Sequence, residues 1–147
     1  MSLKCYSAGP WFNPEQDERE KKVVNKLKAL GFEVFRPREE VCLNPTAPKE
    51  EQEAAFRADI YGITNADFVF AVTNGKDMGT LFECGFAFAN NIPIVYFAEG
   101  LTGGFNLMLA RSAVKVYTNI DDVTYEEIEA LVTGSKVDEY EGEVEWV

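Results

Sequence analysis

The chain has 147 residues, 46% of them apolar and 27% charged, enough for one globular domain that closes a core without disulfides or metal. Its formal net charge of −11 repels polyanions and argues against polymeric nucleic acid as a partner. There is no histidine, which excludes Ser–His and Cys–His catalytic pairs and argues against a transition-metal site.

If the chain is an enzyme, its acid–base and nucleophilic chemistry must come mainly from carboxylates, with Tyr, Cys or Lys in support. Cys5, Cys42 and Cys84 are an odd set without CxxC spacing and suggest neither a disulfide framework nor zinc. No run approaches the ~20 apolar residues of a membrane helix, and no basic segment followed by an apolar stretch opens the chain. A cytoplasmic protein without membrane contact is expected.

Leu3 to Ala8 reads as a first strand, ended by Gly9-Pro10. Asn13 is placed as an N-cap, Pro14 as the first helical residue and Gln16 at the capping-box position, so a helix should span about 14 to 30, with Val23, Val24, Leu27 and Leu30 on one face and Gly31 as its stop. Phe32 to Arg36 gives a second strand, and Arg38 to Pro48 reads as an irregular loop. A second helix follows from about Lys49 to Thr64, with Ala54, Ala55, Ala58 and Tyr61 on its apolar face. Phe68 to Val72 is a continuous apolar run, the mark of a strand covered on both sides. After the turn from Asn74 to Gly79 a third helix reaches Ala89. Ile92 to Ala98 makes a fourth strand, Gly100 to Gly104 a loop, Phe105 to Arg111 a short helix, Ala113 to Tyr117 a fifth strand and Val123 to Leu131 a last helix.

Strands alternating with helices imply right-handed crossovers. The expected fold is a single α/β domain over residues 1–147, a doubly wound, flavodoxin-like five-stranded parallel sheet with helices on both faces. Ligands of such sheets bind beyond the carboxyl ends of the strands. That edge should collect Tyr6, Trp11, Phe12, Asp77, Gly79 and Asn106, while Asp59 reaches it only if the second helix lies across the site. No GxGxxG or GxxxxGK[ST] motif is present, so neither a nicotinamide cofactor nor a nucleoside triphosphate is suggested and no cofactor is expected.

The third helix poses the sharpest question. From Met78 to Ala89 the only side chain ionised at neutral pH is Glu83, and a helix apolar on nearly every side should be buried. Thr80 and Glu83 have capping-box spacing, which would make Glu83 a helix cap; convergence with Tyr6, Asp59 and Asp77 would make it a reacting group.

Tyr6-Ser-Ala-Gly-Pro-Trp-Phe12, Asp59, the block Asp77-Met-Gly-Thr-Leu-Phe-Glu-Cys-Gly85 and Asn106-Leu-Met108 resemble the nucleoside 2-deoxyribosyltransferase family, over roughly residues 3 to 112. The tail from Tyr140 to Trp146 resembles the family's acidic, aromatic C-terminus more loosely. The resemblance implies transfer of 2-deoxyribose between a deoxynucleoside and a free nucleobase with retention. Glu83 would be the nucleophile, Tyr6 the phenol orienting it and Asp59 the carboxylate protonating the departing base. Asp77 and Asn106 would bind sugar hydroxyls, Asn106 from a neighbouring subunit, so that a homo-oligomer, dimer-based and up to a hexamer, is implied. Trp11, Phe12 and Gly79 complete the substrate-binding set, with no metal. A related branch hydrolyses deoxynucleoside 5′-monophosphates, and Arg36, Arg38 and Ser112 are the candidates here for a phosphate. A non-catalytic nucleotide-binding module is the competing class.

Overall fold

The computed structural model describes residues 2–41 and 44–147; Cys42 lies outside them. In chain order come β1 (Lys4–Ala8), α1 (Pro14–Ala29), β2 (Glu33–Phe35), α2 (Pro37–Glu40), α3 (Lys49–Thr64), β3 (Phe68–Val72), α4 (Met78–Ala89), β4 (Ile94–Phe97), β5 (Phe105–Asn106), α5 (Leu107–Ser112), β6 (Lys115–Tyr117), α6 (Tyr125–Thr133) and β7 (Val144–Glu145). Five parallel strands form the main sheet in the order β2-β1-β3-β4-β6. The chain runs outward from β1 to β2, crosses back to the other side of β1 and continues outward, so the order reverses between β1 and β3. This is the position where such sheets leave a crevice.

Alternation along each strand sends side chains to opposite faces. Cys5, Phe68, Phe70, Val95 and Phe97 meet α1 and α6 through Val23, Leu27 and Ile128. Tyr6, Ala8, Val69, Ala71 and Tyr96 meet α3, α4 and α5 through Ile63, Cys84, Ala87 and Ala110. No described helix is long and apolar enough to cross a membrane.

Local chemistry explains most boundaries. Asn13 caps α1 by accepting from the Gln16 N–H at 2.8 Å, Pro14 starts the helix, Glu15 and Asp17 stand in its first turn and Lys26 and Lys28 in its last, in agreement with the helix dipole. Gln16 departs from the capping-box pattern: its side-chain oxygen accepts from the N–H of Phe12 at 3.0 Å. Thr124 caps α6, and Gly134 at φ 81° ends it, shifting that helix two residues beyond the expected stop.

Four expectations are corrected. The loop from Arg38 onward begins as the short helix α2. Phe105 and Asn106 form a strand before α5 instead of its first turn, because Phe105 donates to the Glu143 carbonyl at 2.8 Å and pairs with Val144. On α3 the buried residues are Gly62 and Ile63, while Tyr61 is exposed. Helix α4 is not buried all round: Thr80, Cys84 and Ala87 face inward, whereas Met78, Phe82 and Phe88 are exposed.

Gly62 is fixed by close approach, since a Cβ there would lie 2.9 Å from three ring carbons of Phe35. Phe35 stacks on Tyr6 with centroids 5.3 Å apart. The variant Gly62→Ala should therefore lose about 1–3 kcal/mol of stability by overpacking, as measured by denaturant unfolding, and disturb the Tyr6 ring.

Candidate active site

Tyr6 sits inside β1, fully buried, on the sheet face covered by α3 and α4. Its hydroxyl donates to Oε2 of Glu83. Glu83 falls in the second turn of α4 because the helix starts at Met78, capped by Asp77. Oδ2 of Asp77 accepts from both the N–H and the hydroxyl of Thr80, each at 2.9 Å. This overturns the capping-box reading of Thr80 and Glu83: the cap is three residues earlier, and the Glu83 side chain turns inward to Tyr6.

The same placement changes the charge balance. A helix N-terminus favours an anion only within its first turn, and Glu83 lies beyond it. Burial raises its carboxyl to about 7, the Tyr6 hydrogen bond works in the opposite direction, and the charges of Asp59 and Asp77 add to the rise. Glu83 is thus easier to protonate in the free protein than a nucleophile at a helix end would be.

Asp59 lies on α3, which does cross the site. Its carboxyl is raised by burial, with Tyr6 pulling the other way, and among the described residues its buried Oδ1 has no hydrogen-bond partner. A buried unpaired acceptor costs about 1–3 kcal/mol, a cost that a proton or a ligand donor removes. Two carboxyls of raised affinity for protons, both influenced by one phenol, can divide the labour so that one is ionised while the other carries a proton.

Asp59 and Glu83 border one cavity of about 400 Å³ beyond the β1 and β3 ends, with Tyr6 behind its wall. Gly9, Trp11 and Phe12 come from the connection after β1, and Pro37 from α2. Helix α3 supplies Phe56, Asp59 and Ile60; Asp77, Gly79, Thr80, Phe82 and Glu83 come from the start of α4. Gly9 permits close packing there, since a Cβ would stand 3.1 Å from Cβ of Val72. Trp11 and Phe12 pack together with centroids 4.9 Å apart, and Phe56 and Phe82 face one another at 6.0 Å. Aromatic walls around a few carboxylates suit a flat heterocycle joined to a hydroxylated ring.

The structure therefore gathers Tyr6, Asp59, Asp77, Gly79, Glu83, Trp11 and Phe12. It does not bring Asn106 to them within one chain. Asn106 caps α5, accepting from Leu109 N–H at 3.2 Å, and lines a different cavity with Lys76, Glu99 and Glu145. The candidate phosphate ligands are committed elsewhere: Arg36 to Glu20 and Glu39, Arg38 to Asp17 and Glu20, and Ser112 to Tyr96 and the Leu109 carbonyl. Among the described residues no group of three His, Cys, Asp or Glu side chains is arranged to hold a metal ion.

Sequence reasoning missed Pro37, Phe56, Ile60 and Phe82. A signal was present for two of them, because Phe56 stands three residues before Asp59 and Ile60 four after Phe56, both at helical spacing. Phe82 adjoins Glu83 in the chain and borders the same cavity.

Known proteins resemble this chain in family and in fold. Residues 5–127 match the family model described as nucleoside 2-deoxyribosyltransferase. No curated protein matches the sequence. Among solved structures, a 2-deoxyribosyltransferase from the psychrotolerant bacterium Bacillus psychrosaccharolyticus is similar at 29% identity, with 93% of this chain and 98% of that chain covered and a TM-score of 0.80. A 2-desoxiribosyltransferase from Leishmania mexicana is 22% identical over 69% of this chain and 67% of that one, with a TM-score of 0.53. A CMP N-glycosidase from Clostridium botulinum is 15% identical over 86% and 98%, with a TM-score of 0.56. The last two likenesses are of fold alone.

Proposed function

The chain belongs to the nucleoside 2-deoxyribosyltransferase family, and on that premise we propose that it moves 2-deoxyribose between purine or pyrimidine bases by double displacement at Glu83. The observation that carries the reading is the Tyr6 hydroxyl bound to the Glu83 carboxylate in an aromatic-walled cavity where Asp59 presents a buried, unpartnered oxygen. In the first step a Glu83 oxygen forms a bond to C1′ as the bond from C1′ to the base nitrogen breaks, and the Asp59 proton goes to the departing base. In the second, a new base attacks C1′ of the glycosyl ester, Glu83 leaves as carboxylate and Asp59 recovers a proton. Two inversions give retention. No cofactor is required.

The cavity favours nucleosides over 5′-monophosphates. Among the described residues three that line it are acidic, Asp59, Asp77 and Glu83, and none is basic, so a phosphate dianion would enter against like charge. Chromatography of deoxyinosine incubated with and without adenine tests the assignment. Deoxyadenosine formed only with adenine is expected. Free hypoxanthine without transfer would mean hydrolysis, and no turnover of nucleosides or monophosphates would return the site to a binding module.

Two further outcomes belong to this mechanism. Only ionised Glu83 attacks, and its carboxyl is raised to about 7. The kcat/KM for transfer should therefore fall roughly tenfold per pH unit on the acid side of the Glu83–Asp59 pair titration. Removing the phenol in Tyr6→Phe deletes a bond that favours the anion, so this acid limb should move to higher pH. Loss of one hydrogen bond to a charged group should cost about 1.5–3 kcal/mol, or roughly 10–100-fold in rate near neutrality.

The protein is also proposed to act in the cytoplasm as a homo-oligomer in which a second copy supplies Asn106. The exposed Met78, Phe82, Phe88 and Met108 give α4 and α5 the apolar surface that such contacts bury. Light scattering at working concentration should show a multiple of the monomer mass; a fully active monomer would remove donation in trans.

A further inference from the structure

Behind the cavity wall lies a buried carboxylate that the mechanism does not use. Glu20 projects from α1 with 6% of its surface exposed. Arg36 holds it with two N–H donors, Nε to Oε2 at 2.8 Å and Nη2 to Oε1. Nη1 of Arg38 reaches Oε1 at 3.1 Å and Asp17 Oδ1 at 2.6 Å. Glu39 pairs with the remaining arm of Arg36 at 2.7 Å. The Arg36 guanidinium is accordingly held well above its ordinary range, with the Glu20 hydrogen bonds as the largest cause.

What these arginines flank gives the cluster its meaning. Between them is Pro37, buried and part of the cavity lining. The Arg38 guanidinium also lies 5.8 Å from the centroid of the Trp11 ring, and Trp11 is the adjoining piece of wall. One carboxylate thus grips both ends of a three-residue turn, and through that turn and the Arg38 guanidinium it holds two side chains that line the cavity, Pro37 and Trp11. A buried ion pair contributes little net stability, because desolvation offsets the attraction. Its geometric effect is not offset: a bidentate fork fixes both plane and direction of a guanidinium.

We infer that Glu20 is a positioning residue for nucleoside binding, locking Arg36 and Arg38 so that Pro37 and Trp11 form a preset wall for the base. The inference rests on the nucleoside reading above. Glu20 lines no part of the cavity and acts only through the two arginines. Loss of the fork should let the turn and the indole sample several positions, so binding weakens while the chemical step at Glu83 is untouched. Pre-organisation of this kind is seen as an affinity effect.

The test compares Glu20→Gln, Arg38→Gln and the double variant for steady-state transfer from deoxyinosine to adenine. Deoxyinosine affinity is read separately from Trp11 fluorescence. The chain has two tryptophans, so the fluorescence is measured in a Trp146→Phe background. The expected result is a rise of about tenfold in both KM and Kd for each single variant, with kcat within about twofold of the parent. The double variant should be no weaker than the weaker single, because both act on one element. Faster decay of Trp11 fluorescence anisotropy should accompany the loss, a readout that lowered stability alone does not move. If Glu20→Gln does not fold, Arg38→Gln carries the same test from the more exposed end of the cluster. Parental KM and Kd in the variants, or a kcat loss at constant KM, would overturn the positioning role while leaving the functional reading intact. A parent protein that neither binds nor turns over deoxynucleosides would overturn both.

Discussion

Replacing Glu83 with glutamine should reduce deoxyribosyl transfer by roughly 10³-fold or more and at the same time make the folded protein more stable above neutral pH. The first effect follows from removing the nucleophile: an amide oxygen does not form the glycosyl ester. The second follows from burial. The Glu83 carboxyl is raised from 4.5 to about 7 in the folded chain, with desolvation as the leading cause. A group whose folded value is raised stabilises the fold fully below its unfolded value and loses that contribution as pH rises through its folded value. Glutamine does not titrate, so the gain should be absent near pH 4, grow between about 4.5 and 7, and level off at about 1–3 kcal/mol above that. Thermal melting of both proteins at pH 5 and pH 8, beside the transfer assay, checks the pair. A glutamine variant that is inactive and also less stable at pH 8 would mean that the carboxylate holds the fold together.

Replacing Asp59 with asparagine should lower transfer from natural deoxynucleosides by about 10²–10⁴-fold, the range for loss of a general acid. The loss should depend on the leaving group. A deoxyribosyl donor whose leaving group departs as a stable anion needs no proton and should react with the variant nearly as fast as with the parent. The pH dependence follows the same logic: burial raises the Asp59 carboxyl, so the parent should lose activity on the alkaline side of the Glu83–Asp59 pair titration, and the variant should lose this alkaline limb. An equal loss with both kinds of donor would show that Asp59 shapes the site without moving a proton.

Much of this architecture was legible because it depends on local pattern. The run Phe68-Val-Phe-Ala-Val72 admits few readings besides a doubly covered strand, and Asn13-Pro14 with Gly31 brackets α1 almost completely. The lone carboxylate of α4 pointed to a partner, and Tyr6 is that partner. The errors arise where two residues compete or where pairing is distant. Asp77 and Thr80 are both cap-forming types, and only the structure shows Asp77 accepting from Thr80. The β5 strand exists because a tail some forty residues later pairs with it. Arg36 and Arg38 read as phosphate candidates in sequence, yet Glu20, sixteen and eighteen positions away, claims both. Tyr61 reads as part of the apolar face of α3, where the fold instead buries Gly62 and Ile63.

The most direct measurement is mass spectrometry of the protein quenched in acid during reaction with a deoxynucleoside and no acceptor base, followed by peptide mapping. Double displacement predicts a mass increase of one deoxyribosyl group on the peptide containing Glu83. The adduct should disappear when adenine is added before the quench, as deoxyadenosine accumulates. Rapid transfer without any adduct, or an adduct on a peptide lacking Glu83, would contradict the assignment.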